Sequence, residues 1–551
     1  MTLNLTEILM HHPRMLEAAA PPNATMALAR ADEAAIGADY AFMLIAGVVV
    51  FLMQSGFALL ESGTVRFKNY QNVLLKNCLD ACIGGVVWWA FGYGIAYGEG
   101  NGFIGEKFYF GIGFEDKANN SHYGGWFFQF AFAATAATIV SGSLAERVNI
   151  GNYLLFSFLM TGFIYPVVVA GCWSGDGWLV SGKWNDGVGY EDFAGSGIVH
   201  LTGGVAGFIG AWIIGPRIGL YEEGQEDGAA SRRSSNGEPQ YAVTDPMGYD
   251  NIAQKYKSGE WDILRVHQFI KAYDTKLNDS SFNSQSPQQV VLGTLILWVG
   301  WLLFNGGSSF GSVGDAGVSA SRAMMNSIVS PASAGLFTFA LEQKLGGNTN
   351  LRYNFGALTN GILAGLVSIT ASCDRVHPWA AFVIGAIGAF VYIGSTRMMA
   401  KLKIDDPLEA AQVHGFCGIW GVIALAFFKI DDGIFYGGEN SGKLLGAQIV
   451  GLLFIIGWVG VLSGIFFIIS KKLGFLRLSY TDEIMGGDIH YFGPLEFTGN
   501  LYQYDVEEGL NKKLGDGKTA TNLLNVDVNA SPHRKREGVN AVGGDVEMVG
   551  Q

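Results

Sequence analysis

The residues best suited to chemistry are two histidines at equivalent positions in two copies of one short pattern. Each copy reads Asp, six residues, Val-His, three residues, Gly, two residues and Gly, first from Asp192 with His200 and again from Asp406 with His414. A lone buried histidine is more often a structural hydrogen-bonding group, but an ionisable group at mid-bilayer depth usually marks an ion or proton path. Because two histidines occupy matching positions, we interpret them as functional.

Two facing imidazoles have a defined chemical capacity. A neutral imidazole offers one N–H donor and one lone pair. The rings of His200 and His414 could therefore share a hydrogen and form a polar strip in an otherwise apolar passage. Such a strip can bind a small neutral molecule that forms hydrogen bonds, or it can pass a proton.

Both aspartates of the pattern stand where a helix is predicted to begin. An Asp carboxylate at this position accepts hydrogen bonds from the first free backbone N–H groups of the helix. We expect this capping role for Asp406, with Pro407 at the first helical position. For Asp192, which we place on the outer side, we expect capping together with an electrostatic role.

The histidines lie in a chain predicted to be an all-α, polytopic membrane protein. Of its 551 residues, 49% are hydrophobic and 15% are charged, whereas a soluble chain carries roughly a quarter charged residues. A membrane-spanning helix needs ~20 mostly apolar residues. About eleven such runs occur, near residues 40–60, 78–98, 125–145, 152–171, 196–215, 290–308, 323–341, 354–373, 378–396, 408–428 and 446–470. These runs exclude a soluble multidomain protein.

The two pattern copies lie five runs apart, so they cross the membrane in opposite directions. This spacing predicts an inverted repeat of five plus five helices, with the eleventh helix as an addition. Transporters built from inverted repeats place their path at the repeat interface, near the midplane. A two-fold axis in the membrane plane would bring His200 and His414 toward each other there.

Basic residues in short loops predict the orientation of the chain. Lys and Arg are concentrated in cytoplasmic loops. They follow the first, ninth and eleventh runs, as Arg66, Lys68, Lys76, Arg397, Lys401, Lys403, Lys471, Lys472 and Arg477. The N-terminus is therefore predicted to lie outside and the C-terminus inside.

These expectations divide the chain into six segments. They are an extracellular N-terminal segment (1–38), the first five-helix repeat (39–215), a long cytoplasmic loop (216–289), the second five-helix repeat (290–430), the eleventh helix (446–470) and a cytoplasmic tail (471–551). The tail is predicted to be disordered from about residue 510. Within the loop, 222–240 has the composition of a disordered segment and 250–277 that of short amphipathic helices.

Composition and motifs exclude several other classes of protein. The formal net charge is −13 and no basic stripe indicates a nucleic-acid surface. We find no nucleophile–base pair, nucleotide-binding loop or metal cluster, so we predict no enzymatic activity, cofactor or metal. The five cysteines lack the spacing of a zinc site, and we interpret them as packed thiols.

Several motifs are spread in order along the chain between about residues 40 and 493. They are GFALLESG at 56–63, VRFKN at 65–69, the segment 133–147 ending in GSLAER, DFAGSGIVH at 192–200, GWLLFNGGS at 300–308 and the segment 405–415. Together they resemble the Amt/MEP/Rh ammonium transporter family, and most closely its eukaryotic, plant-type Amt branch.

The resemblance implies roles for individual side chains. His200 and His414 correspond to the twin pore histidines of the family. The positions of the outer ammonium-recruiting site are held by Phe132, Trp173, Ser308 and Asp192. A gate of stacked phenyl rings falls on Phe304 and either Phe128 or Phe132, with Trp301 nearby.

The tail carries one further match, and the chain departs from the family at three places. Glu483, Gly486 and Asp488 match a cytoplasmic regulatory motif of the family, E-x-x-G-x-D. His490 stands where plant relatives carry a regulatory Thr. Residues 168–172, before Trp173, read VVAGC where plant-type members carry a His and bulkier aromatic residues. The 216–289 loop is longer than is usual in the family.

The resemblance implies a membrane transporter or channel for ammonium that serves nitrogen uptake. Ammonium, or its analogue methylammonium, would lose a proton at the outer site and pass as ammonia, with or without the proton, along the twin-histidine pore. The family assembles as homotrimers in the lipid bilayer, and we expect a multi-pass plasma-membrane protein. The alternative is an ammonium sensor that signals through the cytoplasmic loop and tail.

Overall fold

The computed structural model describes residues 22–115, 122–221, 284–345 and 354–492, together with the single residues 258 and 282. Eleven long helices and two short ones follow one another in these residues. They are α1 (Pro22–Thr64), α2 (Phe67–Tyr97), α3 (His122–Ser143), α4 (Ile150–Cys172), α5 (Ser196–Ile214), α6 (Pro287–Gly307), α7 (Gly314–Leu345), α8 (Phe355–Thr370), α9 (Pro378–Lys401), α10 (Ala411–Phe428), α11 (Ser441–Lys472), α12 (Tyr480–Met485) and α13 (Gly487–Phe492). The described part of the chain contains no β-strand beyond two isolated bridges.

The helices have the length and composition of a polytopic membrane protein. Nine of those described are long and apolar enough to cross a bilayer. Helix α8 is apolar but has only 16 residues. Helix α3 has 22 residues, and every one of residues 128–143 is buried. Because α3 is enclosed by other helices rather than by lipid, its sequence can include polar side chains.

Each of the eleven predicted runs corresponds to one of these helices, but several helices begin earlier than predicted. Helix α1 begins at Pro22, inside the segment expected to be an extracellular N-terminal extension. Helix α2 begins at Phe67 and α7 at Gly314. An apolar run identifies only the part of a helix that crosses the hydrocarbon core of the bilayer. The helix itself can continue into the polar interface, where its sequence is no longer apolar. The predicted amphipathic helices of 250–277 and the disordered end of the tail lie outside the described residues.

Helices α5 and α10 begin with the same local structure. The first turn of α5, Ser196–Leu201, and the first turn of α10, Ala411–Phe416, are both π-helical. Each of these turns carries one of the paired histidines. A π-helical turn frequently occurs at functional sites because it shifts side chains out of the regular helical register.

Helices α5 and α10 cross at positions that are occupied by glycine, so no side chain separates their backbones. A Cβ added at Gly204 would lie 2.2 Å from the backbone nitrogen of Gly415. One at Gly418 would lie 2.7 Å from the carbonyl oxygen of Ser196. Small residues permit this close approach of helix backbones. The crossing therefore holds the beginnings of α5 and α10, and with them the histidines, next to each other.

The cysteines only partly follow the prediction that they are packed. Cys172, Cys373 and Cys417 are buried, whereas Cys78 and Cys82 are exposed. The two exposed thiols lie four residues apart on α2, so they share one face of that helix. An apolar run does not distinguish a face that contacts other helices from one that faces outward, which is why this prediction was wrong for Cys78 and Cys82.

Candidate functional site

Asp192 caps the first turn of α5. Its two carboxylate oxygens accept hydrogen bonds from the backbone N–H groups of residues 195, 196, 197 and 198, at 2.8–2.9 Å. The hydroxyl of Tyr190 donates to the same carboxylate at 3.3 Å. This is the predicted capping role. The side chain is nevertheless buried rather than open to the outer side, since only 5% of Asp192 is exposed.

Asp406 has the corresponding position before α10 but makes fewer bonds. It accepts from the backbone N–H of Ala411 at 2.8 Å and from the hydroxyl of Ser143 at 3.0 Å. Capping was again predicted correctly. The expected place of Pro407 was wrong, because the helix begins at Ala411. Glu409, with φ of 58°, lies in the turn between Pro407 and the helix, so the helix cannot begin at the proline.

Aromatic rings form a column that leads to the paired histidines. The rings of Phe132 and Phe304 stack, with centroids 4.0 Å apart and planes inclined by 25°. Trp173 lies beyond Phe132, at 6.0 Å. On the other side, Phe304 is 5.4 Å from His200. Phe132, Phe304 and His200 are fully buried, whereas Trp173 is partly exposed. The column thus runs from a more open end into the core.

The structure resolves which of the two candidate phenylalanines pairs with Phe304. Phe132 stacks directly on Phe304. Phe128 instead contacts Phe132 at 4.8 Å and Phe310 at 5.5 Å. Sequence reasoning did not single out Phe310, which is half exposed in the turn after α6.

The two histidines lie against each other at the inner end of the column. The ring centroids of His200 and His414 are 5.2 Å apart and their planes are inclined by 26°. No hydrogen bond joins the two rings, although facing imidazoles could share a hydrogen. Both nitrogens of His200 and Nδ1 of His414 are buried without a partner among the described residues. Buried polar atoms are normally paired, so these nitrogens could bind a small hydrogen-bonding molecule.

Aromatic residues on both sides hold the histidines in place. Trp301 stacks on His200 at 4.8 Å with an inclination of 21°. The indole Nε1–H of Trp301 donates to the hydroxyl of Thr370 at 2.9 Å. Phe57 lies 6.5 Å from His414. The sequence had singled out Trp301, but it gave no reason to select Thr370 or Phe57.

The remaining outer candidates are linked to the column through backbone carbonyl groups. The Nε1–H of Trp173 donates to the carbonyl oxygen of Asp192 at 2.6 Å. The hydroxyl of Ser308 donates to the carbonyl oxygen of Phe304 at 2.8 Å. The residues predicted for the outer site are therefore connected. Trp173 contacts both Phe132 and Asp192 directly, and Ser308 is linked to Phe132 through Phe304.

The tail motif docks on the beginning of α2. Asp488 accepts from the backbone N–H groups of Gln71 and Asn72 at 3.0 and 2.7 Å. Burial raises the pKa of Asp488, although these N–H groups act in the opposite direction. Gly486 has φ of 107°, and a Cβ there would lie 2.5 Å from the carbonyl oxygen of Lys68. Only glycine fits both the conformation and the space.

Glu483 fixes the same tail to the end of α5. Its carboxylate accepts two hydrogen bonds from Arg477, at 2.8 and 2.9 Å. It also accepts from the backbone N–H of Ile218 at 2.8 Å. The side chain of Glu483 is almost completely buried. All three motif residues of the tail thus contact the loops and ends of the membrane helices.

Sequence reasoning missed a buried ionic network near the tail, which we call the loop network (Arg66, Glu146, Arg217 and Asp405). Glu146 pairs with Arg66 at 2.5 Å and with Arg217 at 3.3 Å. Arg217 also holds Asp405 through two bonds, at 2.8 and 2.9 Å. Burial alone would raise the pKa of Glu146, but the charges of Arg217 and Arg66 outweigh it and lower that pKa to about 2. The quoted GSLAER motif contained Glu146 without indicating its partners.

Taken together, the fold and site define a polytopic helical membrane protein with a buried column of aromatic rings that ends on two histidines. Comparison with known sequences is consistent with this class. The chain belongs to the Ammonium Transporter Family, whose model matches residues 41–235 and 269–497.

Alignments with named relatives extend over most of the chain. It is 36% identical over 494 residues to "Ammonium transporter 1 member 3" of Solanum lycopersicum, covering 85% of this chain and 93% of the relative. It is also 36% identical to "Ammonium transporter 1 member 1" of Arabidopsis thaliana, covering 83% of each. A solved structure named "Sensor Amt Protein" superposes with a TM-score of 0.67 at 30% identity, covering 84% of this chain and 99% of that one.

Proposed function

We propose that the protein transports ammonium and that Phe132, Trp173, Ser308 and Asp192 form its outer recruitment site. Ammonium binds there, gives up a proton and continues as ammonia past the Phe132–Phe304 stack to His200 and His414. The observation that carries this proposal is the continuous contact from Trp173 through Phe132 and Phe304 to His200, which ends on buried imidazole nitrogens without protein partners.

The chemistry of each position fits a small cation that becomes neutral. An aromatic face attracts a cation by ~0.5–2 kcal/mol, and a Ser hydroxyl or a carbonyl oxygen can accept its protons. Moving a bare charge through the buried phenyl stack is costly. Loss of the proton removes most of that cost for ammonium. Potassium has no proton to lose, so the same step provides selectivity.

The surroundings support a transporter set in a lipid bilayer. Large apolar side chains are strongly exposed on the outer surfaces of the helices, among them Trp212, Val461 and Leu453. We place the N-terminus outside, the C-terminus inside and the protein in the plasma membrane. We further propose that the first ten helices form an inverted repeat of five plus five. The protein assembles as a homotrimer with one path in each subunit.

Voltage clamp of oocytes tests the transport path. Wild-type protein is compared with His200→Ala and His414→Ala in external ammonium. An ammonium-dependent inward current that both variants lose or alter supports charge-coupled transport along the histidines. Methylammonium uptake without current supports conduction of neutral ammonia. Variants that reach the surface and behave as wild type would contradict the assigned path.

Ammonium sensing is the second candidate function. One observation favours it: a solved relative of 30% identity is named a sensor. The tail contacts of Glu483 and Asp488 would connect the membrane helices to a cytoplasmic signal. Wild-type protein at the cell surface that gives neither current nor methylammonium uptake would favour sensing over transport.

A further inference from the structure

A second line of aromatic rings reaches Phe132 from the surface of the protein. The ring of Phe310, in the turn between α6 and α7, lies 5.5 Å from that of Phe128, and their planes are inclined by 70°. Phe128 in turn lies 4.8 Å from Phe132. Phe310 is 49% exposed, whereas Phe128 and Phe132 are fully buried. An accessible ring is therefore joined to the proposed recruitment site through one buried ring.

Phe310 also has an unusual backbone conformation. Its φ is 53°, in the left-handed region, where a bulky residue is an outlier and glycine is favoured. Phe110 shares this conformation, with φ of 55°, and has the same exposure of 49%, but its ring contacts Trp89 and Phe91. Conformation alone therefore does not distinguish Phe310. The contact with Phe128 does, because it places the ring beside the proposed outer site.

Hydrogen bonds on both sides hold the turn between α6 and α7 in place. The hydroxyl of Ser309 lies 2.7 Å from the carbonyl oxygen of Gly311, which brackets the exposed ring. The carboxylate of Asp39, on α1, accepts from the backbone N–H groups of Ser312 and Val313 at 2.6 and 3.2 Å. A group that is held in place before its ligand arrives loses little freedom on binding. The ring carried by this turn is therefore suited to binding a cation.

We propose that Phe310 is an accessory cation-binding residue, whose exposed ring receives ammonium from solution before ammonium reaches the recruitment site. This inference rests on the proposed function. An aromatic face attracts a cation such as ammonium or methylammonium. The contact is made while the substrate still carries its charge, so it increases the amount of substrate collected at low concentration. It leaves the later steps along the column, and thus the maximal rate, unchanged.

The test measures the concentration dependence of transport. Uptake of labelled methylammonium in oocytes gives KM and the maximal rate, corrected for the amount of protein at the cell surface. Phe310→Gly removes the ring and suits the left-handed backbone, whereas Phe310→Tyr keeps an aromatic face. Phe110→Gly is the matched control, since it removes an equally exposed ring from the same backbone conformation. Asp39 is present in every variant, so its charge does not affect the comparison.

We expect KM to rise about 2- to 5-fold in Phe310→Gly, as for the loss of one exposed cation–π contact, with an unchanged maximal rate. Phe310→Tyr and Phe110→Gly should both keep the wild-type KM. If Phe310→Gly does not reach the surface, Phe310→Leu decides, because it keeps an apolar side chain but has no aromatic face.

Several results overturn the inference. They are a wild-type KM in the variant that lacks the ring, an equal rise of KM in Phe110→Gly, and a rise of KM in Phe310→Tyr as large as that without the ring. A lower maximal rate or a loss of oligomers at unchanged KM also overturns it, since the ring then only supports packing. Wild-type uptake with any of these results leaves the proposed function standing. Wild-type protein at the surface without uptake overturns the proposed function itself.

Discussion

At the scale of single residues, the ring of His200 is held by a contact that does not use its own nitrogens. Trp301 stacks on the imidazole and is itself fixed by its hydrogen bond to Thr370. This arrangement leaves both nitrogens of His200 without a partner among the residues that the structure describes. The histidine is thus oriented by packing, which leaves its hydrogen-bonding capacity free for the ammonia of the proposed path.

Replacing Trp301 by Phe tests this arrangement. The variant keeps a ring against His200 but loses the hydrogen bond to Thr370, which is worth about 0.5–1.5 kcal/mol. We expect methylammonium uptake to fall roughly 2- to 10-fold. Trp298→Phe is the control, because Trp298 lies on the same helix and donates to the carbonyl oxygen of Ser327 at 2.9 Å. Equal losses in the two variants would show that general packing of α6, rather than the orientation of His200, is responsible.

The sequence indicated most of the column but could not order it. The repeated pattern identified His200 and His414 because both copies share spacing and an apolar setting. Phe128 and Phe132 could not be separated, since residues four apart on a helix project from the same face. Thr370 was not predicted at all, because its partner Trp301 comes from a distant part of the chain and a single Thr carries no local signal.

At the scale of helices, the crossing of α5 and α10 depends on the absence of side chains. The added Cβ at Gly204 would meet both the nitrogen and the Cα of Gly415, at 2.2 and 2.4 Å. These are backbone atoms, which cannot move aside as a flexible side chain would. The glycines of the repeated pattern therefore determine how close the two histidines come.

Substituting Gly204 by Ala is expected to push the two helices apart. Overpacking of this kind costs about 1–3 kcal/mol, so we expect a lower unfolding temperature in detergent together with reduced transport. Gly457→Ala on α11 is the control, because nothing lies within 4 Å of a Cβ added there. Unchanged stability and transport in Gly204→Ala would contradict the close crossing.

The existence of the helices was easier to predict than their ends. Apolar runs located all eleven helices, because burial in hydrocarbon requires such runs. In α2, Lys76 lowers the hydropathy of the part that was missed, and Asp80 is a second charged residue just inside the predicted run. These residues are nevertheless buried against neighbouring helices, and a pattern based on single-residue polarity cannot foresee partners such as Thr138 and Ser141.

At the scale of the whole molecule, the loop network ties distant parts of the chain together. Arg66 follows α1, Glu146 follows α3, Arg217 follows α5 and Asp405 precedes α10. Their side chains are mostly buried. The network therefore connects helices from both halves of the proposed repeat on one side of the bundle. No local sequence pattern predicts it, since its members come from separate loops.

Removing the central carboxylate of the loop network should destabilise the protein. Glu146→Gln leaves Arg66 and Arg217 without their shared partner, and breaking a buried ion pair costs about 3–5 kcal/mol. We expect a clear fall in the unfolding temperature of the purified protein at neutral pH. Glu99→Gln, which removes an exposed ion pair with Lys107, should leave that temperature unchanged.

The carboxylate of Glu146 should also make the stability of the protein depend on pH. Its pKa in the folded protein is about 2, compared with an ordinary value of 4.5. Because the folded pKa is lowered, its stabilising contribution is complete above about pH 4.5 and is lost as the pH falls toward 2. Unfolding temperatures recorded across this range should decline less in Glu146→Gln than in the wild type. Parallel declines would show that other carboxylates dominate.

The hydrogen bonds between α2 and the tail can form only late in the synthesis of the chain. Residues 71 and 72 leave the ribosome early, whereas Asp488, which accepts their N–H groups, is translated near the end of the described chain. Until then the first turn of α2 lacks its final acceptor. A chain interrupted before residue 488 would insert all its membrane helices and still display this defect. The segment that supplies this acceptor is thus made after every long helix of the described chain.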